Sequence, residues 1–303
     1  MESEFVVQVA SAVSAALVSV QFALLACVSV TVWRTGLRKA NGVLRCQFAA
    51  SLFATISSTS ILLEYSVPWT PDMNPLWCEL NGKATSFFYA WEFTFVLQFL
   101  LERLKCVQPD ASESLFVKVM QLGIIGIIPV AFGIMPVIHG TMVFPGAVCI
   151  LSGPTSVFAL FDTASIVVSG ILVSRFHWAV VEVSRRRREL QPMTNNTGYS
   201  PETLYRMAIK NAVSSIVALG CTVTTFTIYL VVNVAVVDWL TSWAILGELC
   251  GLIDMLVNVL VLFLCSTKWM PAEFRNFFGQ YVERKSTPSQ QVLVNRRVAP
   301  SPQ

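Results

Sequence analysis

The chain has 303 residues, 54% apolar and only 13% charged, with a formal net charge of +3 and a mean hydropathy of +0.63. Soluble domains carry a charged share of ~25%, and a single core of this size cannot hide so much apolar surface from water. The balance excludes an ordinary water-soluble enzyme, a disordered chain, a nucleic-acid reader and a small disulfide-stapled domain.

A helix crosses a ~30 Å hydrocarbon core in about 20 apolar residues. Seven stretches reach that length: 5–33, 46–63, 84–101 (with Glu92), 119–138, 155–174 (with Asp162), 211–237 and 239–267 (with Glu248 and Asp254). Barrel strands are shorter and alternate in polarity. The expected fold is therefore an all-α membrane protein, a seven-transmembrane helix bundle over residues 1–268. The first stretch has no basic residue ahead of it and reads as a retained span, not a signal peptide. Beyond it all, Phe274, Phe277, Phe278 and Tyr281 share one helical face. That face predicts a short amphipathic eighth helix over 269–285 on the inner leaflet, followed by a disordered cytoplasmic tail over 286–303.

Placing residue 1 outside puts 20 of the 21 Lys and Arg on inner segments, Lys83 being the exception. The positive-inside rule then predicts an outer N-terminus and a cytoplasmic C-terminus, in a plasma-membrane protein. The run Arg185–Arg188 lies in the longest inner connection. It suits contact with a G protein or anionic lipid, or simply enforces topology.

Cys78 precedes the third span and Cys149 lies between spans four and five, both on the oxidising side. A disulfide between them would tie the outer end of the third helix to that loop. The other cysteines, Cys221 and Cys250 among them, read as small buried hydrophobes.

Glu102-Arg103 closes the third span at its inner end, 24 residues after Cys78. Asn41 precedes Ser51 by 10 residues, Ser51 precedes Cys78 by 27, and Leu37-Arg38 stands just ahead. In these intervals the chain resembles the rhodopsin-like G-protein-coupled receptors. It departs from them at Ser51 (usually Asp), at Leu104 (usually Tyr), and in lacking Trp-x-Pro near Cys221. Asn258-Val259-Leu260-Val261-Leu262 also replaces Asn-Pro-x-x-Tyr. The altered pattern looks most like the serpentine chemoreceptors of nematodes. The resemblance implies a receptor that converts binding of an external small molecule into activation of a heterotrimeric G protein. It further implies that Glu102 holds Arg103 in the resting packing, with Asn258 part of the same activation switch.

Thr85, Tyr89, Glu92, Val96, Phe99 and Arg103 recur at helical spacing on one face of the third span. Thr85 and Tyr89, near the outer end, are candidate ligand-binding residues. Glu248 joins them if it faces inward, though it could equally face lipid. Asp254 and Asn258 stand one turn apart in the seventh span. Buried ionisable groups in a membrane are functional candidates, so Ser51, Glu92 and Asp254 are assigned to an interior polar centre. That centre could bind a sodium ion, share a proton, or hold protonated carboxyls bonded to neighbours or water. No Lys in span seven is available for Schiff-base chemistry. With two histidines, His139 and His177, in different spans and no nucleophile or phosphate motif, the expectation is no enzyme, no protein-bound metal set and no organic cofactor. The alternative reading is an ion-coupled transporter or channel that uses Glu92 and Asp254.

Overall fold

A computed structural model describes residues 2–36, 40–66, 75–107, 115–129, 140–144, 148–152, 155–190, 213–225, 227–228, 231 and 240–265. In chain order these form α1 (Glu2–Thr35), α2 (Gly42–Ser66), α3 (Pro75–Val107), α4 (Leu115–Leu122), strands β1 (Gly140–Phe144) and β2 (Val148–Ser152), α5 (Thr155–Leu190), α6 (Val213–Thr225) and α7 (Leu240–Cys265). Four described helices, Phe5–Thr35, Gly42–Ser66, Leu76–Lys105 and Ile245–Cys265, are long and apolar enough to cross a membrane. Of three shorter apolar helices, Val213–Thr225 lies inside the expected span 211–237, while Leu115–Gly126 and Ile166–Ala179 overlap the expected spans 119–138 and 155–174. The expected eighth helix and tail lie outside the described residues.

Local chemistry sets the ends. Gly36, at φ 78°, terminates α1, its N–H bonded to the Val32 carbonyl at 2.8 Å; a positive φ is cheap only without a Cβ. Asn41 caps α2, its side-chain oxygen accepting from the Leu44 N–H at 2.9 Å. Pro75 opens α3 at a position where its missing N–H removes nothing. Within the helices, Ser29, Thr31, Thr59 and Thr94 donate to the carbonyl four residues back. That bond satisfies a hydroxyl where no water is at hand.

α4 passes into a π turn, Gly123–Ile127, in which the Ile128 N–H bonds Gly123 O. Pro129 follows. Proline has no N–H to offer the carbonyl four residues earlier, and its ring crowds that carbonyl. Widening the preceding turn, with two glycines present to allow it, relieves the conflict.

The class is helical, as expected, and one connection between helices adds a short hairpin. β1 and β2 form an antiparallel hairpin with Val143 opposite Cys149, and the hairpin packs against α3. The apolar-run criterion is blind to short strands in a loop. The helices also outrun the expected spans: α2 extends 46–63 to 42–66, α3 extends 84–101 to 75–107, and α5 extends 155–174 to 155–190. Charge ended each apolar run, but a helix continues wherever its charged residues find partners.

α3 is the central rod, in contact with α2, α4, α5, α7 and the hairpin. One apolar cluster joins it to α4 and α5 through Leu97, Leu101, Val117, Ile124, Leu172 and Phe176. A second joins α1, α2 and α7 through Ala10, Ala54, Ile61, Ile245, Leu252 and Met255. Phe53 of α2 stacks on Phe95 of α3 at a centroid distance of 5.6 Å.

Candidate functional site

Polar side chains from α2, α3, α6 and α7 meet inside the bundle at two levels. Toward the N-terminal end of α3, Asn81 donates to Glu64 Oε1 at 2.9 Å and Thr85 donates to the same oxygen at 3.2 Å. Glu248 of α7 accepts from the Tyr65 hydroxyl at 2.5 Å. The Glu64 and Glu248 carboxyls interact electrostatically across α2 and α7. Both are buried, with 3% and 6% exposure. Glu248 therefore faces the bundle, and the lipid-facing alternative falls away.

Deeper in the bundle, Asp254 accepts from the Tyr89 hydroxyl at 2.7 Å through Oδ2 and from Thr222 at 2.8 Å through Oδ1. One carboxyl thus holds α3, α6 and α7 together. Thr225 adds a bond to the Cys250 carbonyl at 3.2 Å. Glu92 and Asn258 are the polar neighbours of this group. Glu92 is completely buried, yet neither carboxyl oxygen has a hydrogen-bond partner among the described residues, and neither does Asn258 Nδ2. A cavity of about 30 Å³ lies against Asn258, lined also by Thr222, Phe93 and Val96. That volume admits a water. Leaving a carboxyl buried and unbonded costs several kcal/mol, so Glu92 is the residue whose presence is hardest to explain by packing.

The assigned residues thus regroup. Thr85, Tyr89, Glu248 and Asp254 all enter this network through hydrogen bonds, and Glu92 lies beside Asp254 without one among the described residues. Ser51 does not: it is buried on α2 and donates to the Gln47 carbonyl at 2.9 Å. Glu64, Tyr65, Asn81 and Thr222 belong to the network and escaped sequence reasoning. Glu64 and Asn81 lay just outside the apolar limits drawn for spans two and three, and Thr222 carried no charge to mark it. A helical projection past those limits puts Asn81 one turn before Thr85, the one signal that was available. The side chain of Asp162 lies outside the described residues.

At the C-terminal end of α3, no ion pair between Glu102 and Arg103 is seen among the described residues. Glu102 accepts from Lys105 at 2.8 Å and from Gln98 at 2.8 Å. Its carboxylate lies against Gly42 at the start of α2, where a Cβ would come within 2.7 Å of Oε2. A helix N-terminus favours such an anion. Arg103 turns to the other side, its guanidinium 5.4 Å from the Phe99 ring and 5.9 Å from the Phe176 ring. Neighbouring helix positions point about 100° apart, so side chains at i and i+1 do not face each other.

Cys78 is disulfide-bonded, whereas Cys27, Cys46, Cys221, Cys250 and Cys265 are free. Cys149 lies in β2, the strand that packs on α3. Among the described residues no group of three or more His, Cys, Asp or Glu side chains is arranged to hold a metal.

No protein-family model matches the chain, and no curated protein matches it either. What stands is a class: a helical bundle with apolar helices long enough to span a membrane and a buried acidic network at its centre.

Proposed function

We propose that this protein is a seven-helix receptor of the G-protein-coupled kind, a chemoreceptor for an external small molecule. The supporting observation is the anatomy of α3. It packs on four other helices, bears a bonded cysteine and a covering hairpin near one end, and carries Arg103 near the other. In this reading Cys78 pairs with Cys149 and fastens the hairpin over the bundle. The ligand binds among α3, α6 and α7, at the level of Thr85, Tyr89 and Glu248. A ligand shifts an equilibrium only by binding one packing better than another. Here the packings differ in how Asp254 joins α6 to α3 and α7, and displacing α6 breaks the Thr222 bond. At the cytoplasmic end that displacement uncovers Arg103 and the inner loops for a heterotrimeric G protein. Asn258, beside Glu92, connects the two levels. A sodium ion fits the chemistry of the Glu92–Asp254–Asn258 group, since the Glu92 oxygens are acceptors without donors among the described residues. Those oxygens and Asp254 would hold it and it would offset their charge.

The test is a ligand screen in cells with G-protein activation as readout and Arg103→Ala as control. The expected result is loss of signalling in Arg103→Ala at unchanged surface expression; full signalling by that variant contradicts the mechanism. The unbonded Glu92 also favours a second reading, an ion-coupled transporter or channel through Glu92 and Asp254. That reading predicts ion flux in vesicles reconstituted with the protein alone, abolished by Glu92→Gln.

A further inference from the structure

A groove of about 870 Å³ runs along α5 beside Phe116 of α4, within the ~300–1,000 Å³ range of clefts that hold a small molecule. Ile166, Gly170, Ser174 and Trp178 stand four residues apart and form one row of it, with Val167, Ile171 and Arg175 as the row alongside. Gly170 makes it a groove: a Cβ there would meet nothing within 4 Å. Its walls are apolar and open, Val167 being 53% and Trp178 57% exposed.

One residue in the groove is charged. The Arg175 guanidinium lies 4.9 Å from the Phe116 ring. Among the described residues it has no carboxylate partner, whereas Arg185, farther along α5, pairs with Glu182 at 3.0 Å. A guanidinium resting on a ring keeps its N–H fork free for a phosphate or carboxylate. The distances agree with a lipid. From Ile166 to Arg175 is nine residues of helix, about 13.5 Å at ~1.5 Å each, close to half of a ~30 Å hydrocarbon core. Arg175 and Trp178 then stand at headgroup depth, where Trp is favoured, and the apolar part of the groove spans one leaflet.

We propose that the α4–α5 groove seats one anionic phospholipid of the cytoplasmic leaflet, its headgroup on Arg175 and one acyl chain along Gly170 and Ile171. The choice of leaflet rests on the orientation adopted under the receptor reading; the seat itself does not. The full-length protein, carried in nanodiscs of mixed phosphatidylserine and phosphatidylcholine, is released and its retained lipid identified by native mass spectrometry. One basic residue near an anionic surface is worth about a five-fold preference, so phosphatidylserine is expected to exceed phosphatidylcholine about five-fold over its share in the disc. Arg175→Gln should equalise the two lipids, and Gly170→Leu should remove both. Equal retention by the unaltered protein overturns the proposal, as does a preference that survives Arg175→Gln or retention that survives Gly170→Leu. Either variant decides alone if the other misfolds. No signalling enters the measurement, so its failure and that of the receptor reading are separately visible.

Discussion

Asp254 and Glu92 are both buried acids beside one another, and they differ in what they touch. Asp254 satisfies two hydroxyls from two other helices. Asp254→Leu removes the Tyr89 bond and takes this acceptor from the buried Thr222 hydroxyl, and is expected to lower stability by about 1–3 kcal/mol, measured as thermal unfolding of the detergent-solubilised protein. Asp254→Asn keeps one acceptor and should lose less. Among the described residues Glu92 satisfies no donor. Replacing a buried unbonded acid by an apolar residue of similar size removes a desolvation penalty, so Glu92→Met is expected to raise the unfolding temperature. A drop as large as that of Asp254→Leu would show that Glu92 has a structural partner. A stabilised variant that loses agonist response would mark Glu92 as kept for function. If a cation sits there, agonist affinity should respond to sodium in the unaltered protein and not in Asp254→Asn.

The third helix and the hairpin act as a unit. Cys78 lies in the first turn of α3 and is 1% exposed, and Cys149 lies in β2, which packs on the same helix. Peptide mapping without reduction should recover a Cys78–Cys149 cross-link; a link to Cys106 instead would contradict the receptor reading, which keeps Cys106 on the reducing side. Closing a loop of about 70 residues contributes up to ~4 kcal/mol in the chain-entropy treatment, and less where spans already restrain the unfolded chain. Cys78→Ser should therefore lower thermal stability by a smaller amount than that and loosen the hairpin, seen as faster hydrogen exchange over 140–152. The fourth helix shows the limit of reading elements from apolarity alone. Span 119–138 was marked by its apolar run, but the π turn at Gly123–Ile127 arises from a backbone conflict that hydropathy does not register.

At the scale of the molecule, the receptor reading requires an odd number of crossings. Tags at the two termini of the protein in intact cells should report on opposite sides, the N-terminal one outside. Tags on one side would remove the seven-span topology and the Arg103 mechanism with it. The four helices of membrane-spanning length were legible beforehand, because a bilayer leaves a helix no alternative to long uncharged runs. The residues of the polar network were half legible: Thr85, Tyr89, Glu92, Glu248 and Asp254 stood out as polar groups amid apolar sequence, while Glu64, Asn81 and Thr222 did not.

Length, hydropathy and the placement of Lys and Arg suffice to specify a bundle of membrane helices, since these are one-dimensional consequences of a solvent that rejects charge and unpaired backbone. Partners are a different matter. That Glu248 turns inward to Tyr65, that Glu102 takes Lys105 while Arg103 lies on Phe99 and Phe176, and that Asp254 is bonded while Glu92 is not, all depend on helix rotation and depth. Those two quantities come from the packing of several helices at once, and no single stretch of chain contains them.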